Sequence, residues 1–209
     1  MRPVAESPPV ASPLVEALAG PGFGVDTGFA AAGLVRDLVA DVGRRDAAGE
    51  FRAAAVGAGQ NRAVRPQIRG DRICWLLAST SLAEREILAQ FEALRIELNR
   101  TLMLGLVDFE CHYAIYETGA RYARHLDRSP RGAERVISAV LYLNEDWRAT
   151  DGGELVIVAE EGEVTVVPDG GTLAVFLSER FEHEVRAAGR TRRSLTGWFR
   201  RRPTFGVAL

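Results

Sequence analysis

The chain is short of cysteine and histidine. Two cysteines in 209 residues, Cys74 and Cys111, cannot build a disulfide framework. Both sit in apolar, strand-like runs, which predicts buried, inert thiols in a reducing compartment, so a cytoplasmic location is expected. No run of about 18 apolar residues is present, so no membrane span is expected. Neither charge dominates. The 26 basic and 28 acidic residues leave a net charge of −2, which excludes a general attraction to nucleic acid or to an anionic membrane. The basic runs 190–193 and 200–202 therefore read as solvated strand ends. No internal repeat is present. The Pro- and Ala-rich start lacks the apolar core of a secretory signal, and residues 1–20 are expected to be a disordered lead-in. What remains, 47% hydrophobic and 26% charged, is the balance of a globular protein with one sizeable core.

Periodicity divides that core in two. Residues 28–42 place Phe29, Leu34, Leu38 and Val39 at helical spacing, with Asp26 and Thr27 as candidate caps. A second helix is expected from a cap at Thr80 or Ser81 to about Thr101, with Ile87, Leu88, Phe91, Leu94 and Leu98 in one stripe. Glu84, three residues after Ser81, fits a capping box. Beyond Gly105 the pattern changes to short strands, expected at 108–116, 120–125, 135–143, 154–158, 163–167, 172–177, 182–185 and 192–200. Turn signals such as Asp151-Gly152-Gly153 and Pro168-Asp169-Gly170-Gly171 separate them. The prediction is a mainly β fold with flanking N-terminal helices: a double-stranded β-helix (jelly roll, cupin-like). One domain is expected over 21–209, with a helical part at 21–104 and the jelly-roll core at 105–202.

The chain has three histidines, His112, His125 and His183. His125 and Asp127, two apart, share a face if they lie on a strand. His183 must come from a second strand. Two imidazoles and one carboxylate on one side of a metal make the facial triad that suits Fe(II), with positions left open for other ligands. Taken singly, either histidine reads as structural, and His112, which has no placed partner, is read as structural. The second signal is Arg192-Arg193-Ser194. A guanidinium fork matches a carboxylate in bidentate geometry. Arg192 shares a strand face with Ser194, whose hydroxyl could share the same carboxylate, so Arg192 is preferred over Arg193 as the anchor for a dicarboxylate. Trp75, Trp147 and Trp198 read as packing, with Trp198 also a candidate wall of the pocket.

In this order the motifs resemble the 2-oxoglutarate- and Fe(II)-dependent dioxygenases, specifically the prolyl hydroxylases of the oxygen-sensing type and their bacterial relatives. The similar stretches are Ile68 to Trp75, Gly119 to Asp127, Val140 to Trp147, Gly152 to Leu155, His183 to Val185 and Arg192 to Trp198. The resemblance implies that His125, Asp127 and His183 ligate iron. It implies that Arg192 and Tyr142 hold the distal carboxylate of 2-oxoglutarate and that Tyr116 lines the pocket. Arg135 would lie near a peptide substrate, and Asp71 would hold a loop over the site. Fe(II), 2-oxoglutarate and O2 are then required, with ascorbate as the reductant, so ascorbate binding is expected. The implied activity is hydroxylation of a C–H bond with release of succinate and CO2, on a protein carrying an exposed proline. The chain departs from the family between Tyr116 and His125, one residue shorter than in the animal enzymes, and in the loop 44–67, where substrate choice is expected to lie. Three other classes stay open: an oxygenase acting on a free small molecule, a zinc hydrolase using the same ligands, and a non-catalytic jelly-roll binding module.

Overall fold

The computed structural model describes residues 11–57, 63–127 and 134–202. Among these the helices are α1 (Pro13–Ala19), α2 (Ala32–Ala47) and α3 (Leu82–Leu102). The strands before α3 are β1 (Phe23–Asp26), β2 (Arg52–Ala53) and β3 (Asp71–Trp75). Those after it are β4 (Leu106–Tyr116), β5 (Tyr122–His125), β6 (Glu134–Tyr142), β7 (Leu155–Ala159), β8 (Gly162–Val166), β9 (Leu173–Leu177), β10 (His183–Val185) and β11 (Arg192–Arg201). Two sheets result. One runs β1-β9-β6-β11-β4-β3-β2 and the other β5-β10-β7-β8. The pairings are antiparallel, as in a jelly roll.

β11 shows how the layers are built. It lies between β6 and β4, so both its edges are hydrogen-bonded, and each of its faces packs against a core. Leu195 and Phe199 point to one side and join Leu38, Ile87, Phe91 and Leu98 in a core beneath the helices. Arg192, Thr196 and Trp198 point to the other, into the space between the sheets. There Ala114, Tyr116, Val140 and Tyr142 pack with Leu155, Ile157 and Phe176. A strand covered on both faces need not alternate apolar with polar. That is why Arg192 to Phe199 departs from simple alternation.

Gly197 marks the closest approach in this layer. It pairs with Cys111 and Ala139. A Cβ there would fall 2.6 Å from Glu110 O and 2.7 Å from Cys111 Cβ. Next to it, Phe91 stacks on Phe109 at 4.3 Å, and Phe109 meets Phe199 at 4.7 Å. Gly197→Ala is therefore expected to destabilise the fold by about 1–3 kcal/mol through overpacking, read as a lower urea midpoint with unchanged slope.

The early part of the chain differs from expectation in four ways. Residues 13–19 are not a disordered lead-in but α1, which buries Leu14, Val15 and Leu18; residues 1–10 lie outside the described residues. The part expected to be helical, 21–104, also contributes β1, β2 and β3 to the large sheet. α2 begins at Ala32 with no side-chain cap, because Asp26 belongs to β1 and its carboxylate accepts from Gly28 N at 2.8 Å. α3 does begin at Ser81, whose hydroxyl accepts from Glu84 N at 3.0 Å, but the capping box is incomplete. Glu84 reaches back one residue further, to Thr80 N at 2.6 Å, and also takes Arg45 Nε at 2.8 Å. This buried ion pair ties α2 to the start of α3. Among the described residues, no helix is long and apolar enough to cross a membrane.

Candidate metal centre

His125 ends β5 and His183 begins β10, and the ladder places them directly opposite each other. Each imidazole is tied through Nδ1 to a main-chain carbonyl two residues earlier. His125 donates to Ala123 O at 2.8 Å and His183 to Phe181 O at 3.1 Å. A carbonyl only accepts, so Nδ1 carries the proton and Nε2 offers its lone pair. Both lone pairs meet Asp127. His125 Nε2 is 3.7 Å from Oδ1, and His183 Nε2 is 3.6 Å from Oδ2. One ligand atom from each residue lies within 4.8 Å of the other two. Asp127 lies past the end of β5, so a shared strand face does not place it, contrary to expectation. Two side chains of the large sheet hold it instead. Ser138 Oγ on β6 donates to Oδ2 at 2.7 Å, and Trp198 Nε1 on β11 donates to the same oxygen at 2.9 Å.

The protonation states suit a cation. Burial and the neighbouring His183 push His125 down to about 4, so its ring is neutral near pH 7. Burial alone would raise the Asp127 carboxyl. His183, His125 and the bonds from Ser138 and Trp198 outweigh it and hold the group below its ordinary value. The neutral His125 imidazole, the ionised Asp127 carboxylate and His183, whose Nδ1 is tied to a carbonyl, converge from one side as a donor set that divalent iron accepts.

These residues form one wall of a narrow cavity that Arg192 also lines. The chain has no lysine, so any fixed cation here is a guanidinium. Arg192 is fully buried; its Nε donates to Gly153 O at 2.9 Å, and its Nη2 has no partner among the described residues. The rings of Tyr116 and Tyr142 flank it, each centroid 5.1 Å from the guanidinium carbon. The Tyr142 hydroxyl also makes no hydrogen bond of full geometry among the described residues, although the Arg192 guanidinium is close enough to act on it. Burial raises that phenol to about 12, so it stays a donor. An unpaired buried donor costs about 1–3 kcal/mol, and more when charged. Two such donors side by side call for a ligand that accepts from both, and a carboxylate does so. Arg193 projects to the opposite face, where its charge acts on Asp46 of α2.

Residues 111–200 match the model of the 2OG-Fe(II) oxygenase superfamily. The crystal structure of a Pseudomonas putida prolyl-4-hydroxylase is 46% identical, with a TM-score of 0.83 over 91% of this chain and 98% of that one. This chain belongs to the 2-oxoglutarate/Fe(II) prolyl hydroxylase family. A prolyl hydroxylase solved in complex with a hypoxia inducible factor oxygen degradation domain peptide fragment from Trichoplax adhaerens is 26% identical, with a TM-score of 0.80 over 89% of this chain and 86% of that one. Human Egl nine homolog 1 is 30% identical over 141 residues, which are 63% of this chain and 33% of that protein. The chain thus spans about a third of this curated relative.

Within this family member, the other expected site residues take particular places. Tyr116 is buried and lines the cavity. Ser194 is buried too, but its hydroxyl pairs with Thr196 Oγ1 at 3.2 Å, and Thr196 rather than Ser194 lines the cavity. Asp71 begins β3 and lines the cavity. It takes Arg69 through both oxygens, at 2.7 and 2.9 Å. Arg69 in turn lies 4.8 Å over the Tyr122 ring, and Tyr122 stacks on His125 at 3.6 Å. Arg69 and Tyr122 were not expected at the site, although Arg69 and Asp71, two apart, carry a same-face signal. Arg135 packs 3.5 Å over the Trp198 ring and bonds Glu110 Oε1 at 2.9 Å.

Trp198, expected as a pocket wall, also orients a ligand atom through its indole N–H. Residues around a metal ligand tune the ligand's direction, and their loss costs about 10- to 100-fold in metal affinity or activity. Trp198→Phe keeps the ring under Arg135 and removes the donor. Its affinity for Mn(II), read by titration, is expected to fall within that range while the thermal unfolding profile stays close to wild type. Unchanged affinity would assign Trp198 to packing alone.

Proposed function

We propose that this chain is an Fe(II)- and 2-oxoglutarate-dependent dioxygenase that hydroxylates a prolyl residue of a protein and releases succinate and CO2. The observation that carries the reading is a pair of unpartnered buried donors, Arg192 Nη2 and Tyr142 Oη, in the same cavity as the His125–Asp127–His183 cluster. A metal site alone also fits a zinc hydrolase, but such an enzyme has no use for a second, buried carboxylate anchor.

In this reading His125, Asp127 and His183 hold the iron. Bound iron supplies activation of O2 coupled to oxidative decarboxylation of the 2-oxoacid. Arg192 and Tyr142 would take the far carboxylate of 2-oxoglutarate and fix its direction in the cavity that the metal cluster lines. Ala123 and Phe181 hold the imidazoles in the ligating tautomer through their carbonyls. Ser138 and Trp198 keep Asp127 turned to the same point. Val140, Leu155 and Val185 line the cavity with apolar surface and limit water there. Arg69, which lines the cavity, and Arg135, stacked over the Trp198 ring, are candidate contacts for the peptide. Ascorbate would serve as the reductant that returns iron to the ferrous state. The buried free thiols of Cys74 and Cys111, the latter raised by burial to about 12, suit a cytoplasmic, reducing setting.

The prolyl substrate rests on the 46% identity to a prolyl-4-hydroxylase over nearly its whole length, and on the Trichoplax relative solved with a peptide. The test is incubation with Fe(II), 2-oxoglutarate and proline-containing peptides, following succinate and peptide mass together. One oxygen gained on a prolyl residue per succinate formed is the expected result. Succinate formed with no peptide gaining oxygen, and a free small molecule oxidised instead, would replace the prolyl reading.

A further inference from the structure

His112 has no place in the roles assigned so far. It is fully buried on β4, and neither Nδ1 nor Nε2 has a partner among the described residues. A histidine kept only for packing pairs at least one ring nitrogen, because a lone buried polar group is costly. Its ring is wedged between Trp75, at 4.8 Å, and Trp198, at 5.5 Å, and it lines the same cavity as the metal cluster.

The β4–β11 ladder locates it along that cavity. Arg192 pairs with Tyr116, Ser194 with Ala114, Thr196 with His112, and Trp198 with Glu110. The anchor, Arg192, is at one end of this series. Trp198, which bonds Asp127, marks the metal end. His112 is therefore beside the metal end. A ligand whose far carboxylate rests on Arg192 and whose other end meets the metal cluster would extend toward that rung.

We propose that His112 binds the co-substrate, its neutral imidazole donating a hydrogen bond to the metal-end carboxylate of 2-oxoglutarate. The assignment rests on the dioxygenase reading above. Burial, with Arg69 and Arg135 nearby and only Asp127 opposing, pushes the ring down to about 3. The imidazole is thus neutral in use and carries one N–H. The same cations make its surroundings favourable for an anionic oxygen.

The test compares wild type, His112→Leu and His112→Gln, each loaded with Fe(II) without oxygen and titrated with 2-oxoglutarate by the visible absorption of the chelate. Mn(II) affinity and thermal unfolding are measured in parallel. His112→Leu is expected to weaken 2-oxoglutarate binding by roughly tenfold or more. Its Mn(II) affinity should be unchanged and its Tm equal or higher, since an unpaired polar group has been replaced by an apolar one. His112→Gln, which keeps a donor and an acceptor, should recover most of the affinity. Wild-type 2-oxoglutarate affinity in the Leu variant overturns the assignment. A matching loss of Mn(II) affinity also overturns it and moves His112 to water on the metal, and a marked fall in Tm in both variants assigns the residue to packing. Wild-type protein that binds Fe(II) but not 2-oxoglutarate refutes the dioxygenase reading itself and His112's role with it, an outcome separate from the others.

Discussion

Asp127→Ala is expected to abolish turnover while the chain stays folded. Asp127 is the one charged member of the cluster, and both Nε2 lone pairs are turned toward it. Its removal leaves only the two imidazoles, which bind a divalent cation far more weakly and do not fix it toward the cavity. The structural cost is smaller. Ser138 retains Ser178 Oγ at 2.9 Å as a partner, and only the Trp198 N–H is left without one. One unpaired donor is worth about 1–3 kcal/mol, and the crowding of a buried carboxylate is relieved. Succinate formation should fall to the metal-free background while circular dichroism and the unfolding midpoint stay near wild type. Full activity in this variant would disprove the metal assignment.

Arg192→Ala has the second largest expected effect, and it separates co-substrate from metal. A hydrogen bond to a charged group contributes about 1.5–3 kcal/mol, or on the order of 10- to 100-fold in affinity. The Kd for 2-oxoglutarate should rise by that factor, with Mn(II) affinity unchanged. Arg192→Lys should fall between the two, because an ammonium keeps the charge but loses the fork and the bond to Gly153 O. Arg193→Ala is the control. Its side chain is on the helix side of β11, and it should bind 2-oxoglutarate like wild type. A loss in Arg193→Ala with none in Arg192→Ala would place the anchor on the other face.

Much of the jelly roll was readable because its strands are short and bounded by turn residues. β6, β7, β9 and β11 begin or end within a residue of where alternation and glycine place them. β1 and β2 carry no strand signal, and β3 shows only the apolar, strand-like run around Cys74. They are two to five residues long, lie among helices, and pair with partners distant in sequence, so no local period announces them. α1 was hidden for a related reason: seven residues in a Pro- and Ala-rich context carry little periodicity, and only packing makes them helical.

The candidate site shows the same division. Residue types that carry chemistry by themselves, His125, Asp127, His183 and Arg192, could be picked out of the sequence. The residues that orient them could not. Ser138 and Trp198 reach Asp127 from the opposite sheet, and Arg69 reaches His125 only through Tyr122. Such links depend on which strands become neighbours. In the sequence His112 reads as structural, because its lack of a partner is informative only with its burial and its place on the cavity wall.

The most direct test is anaerobic addition of Fe(II) and 2-oxoglutarate to metal-free protein, watching for the weak visible band of the iron chelate. A band that saturates at one equivalent of each and disappears in His183→Ala is the predicted result. Protein that binds Fe(II) or Zn(II) tightly yet shows no band with 2-oxoglutarate would contradict the account and return the site to the hydrolases or to a binding module.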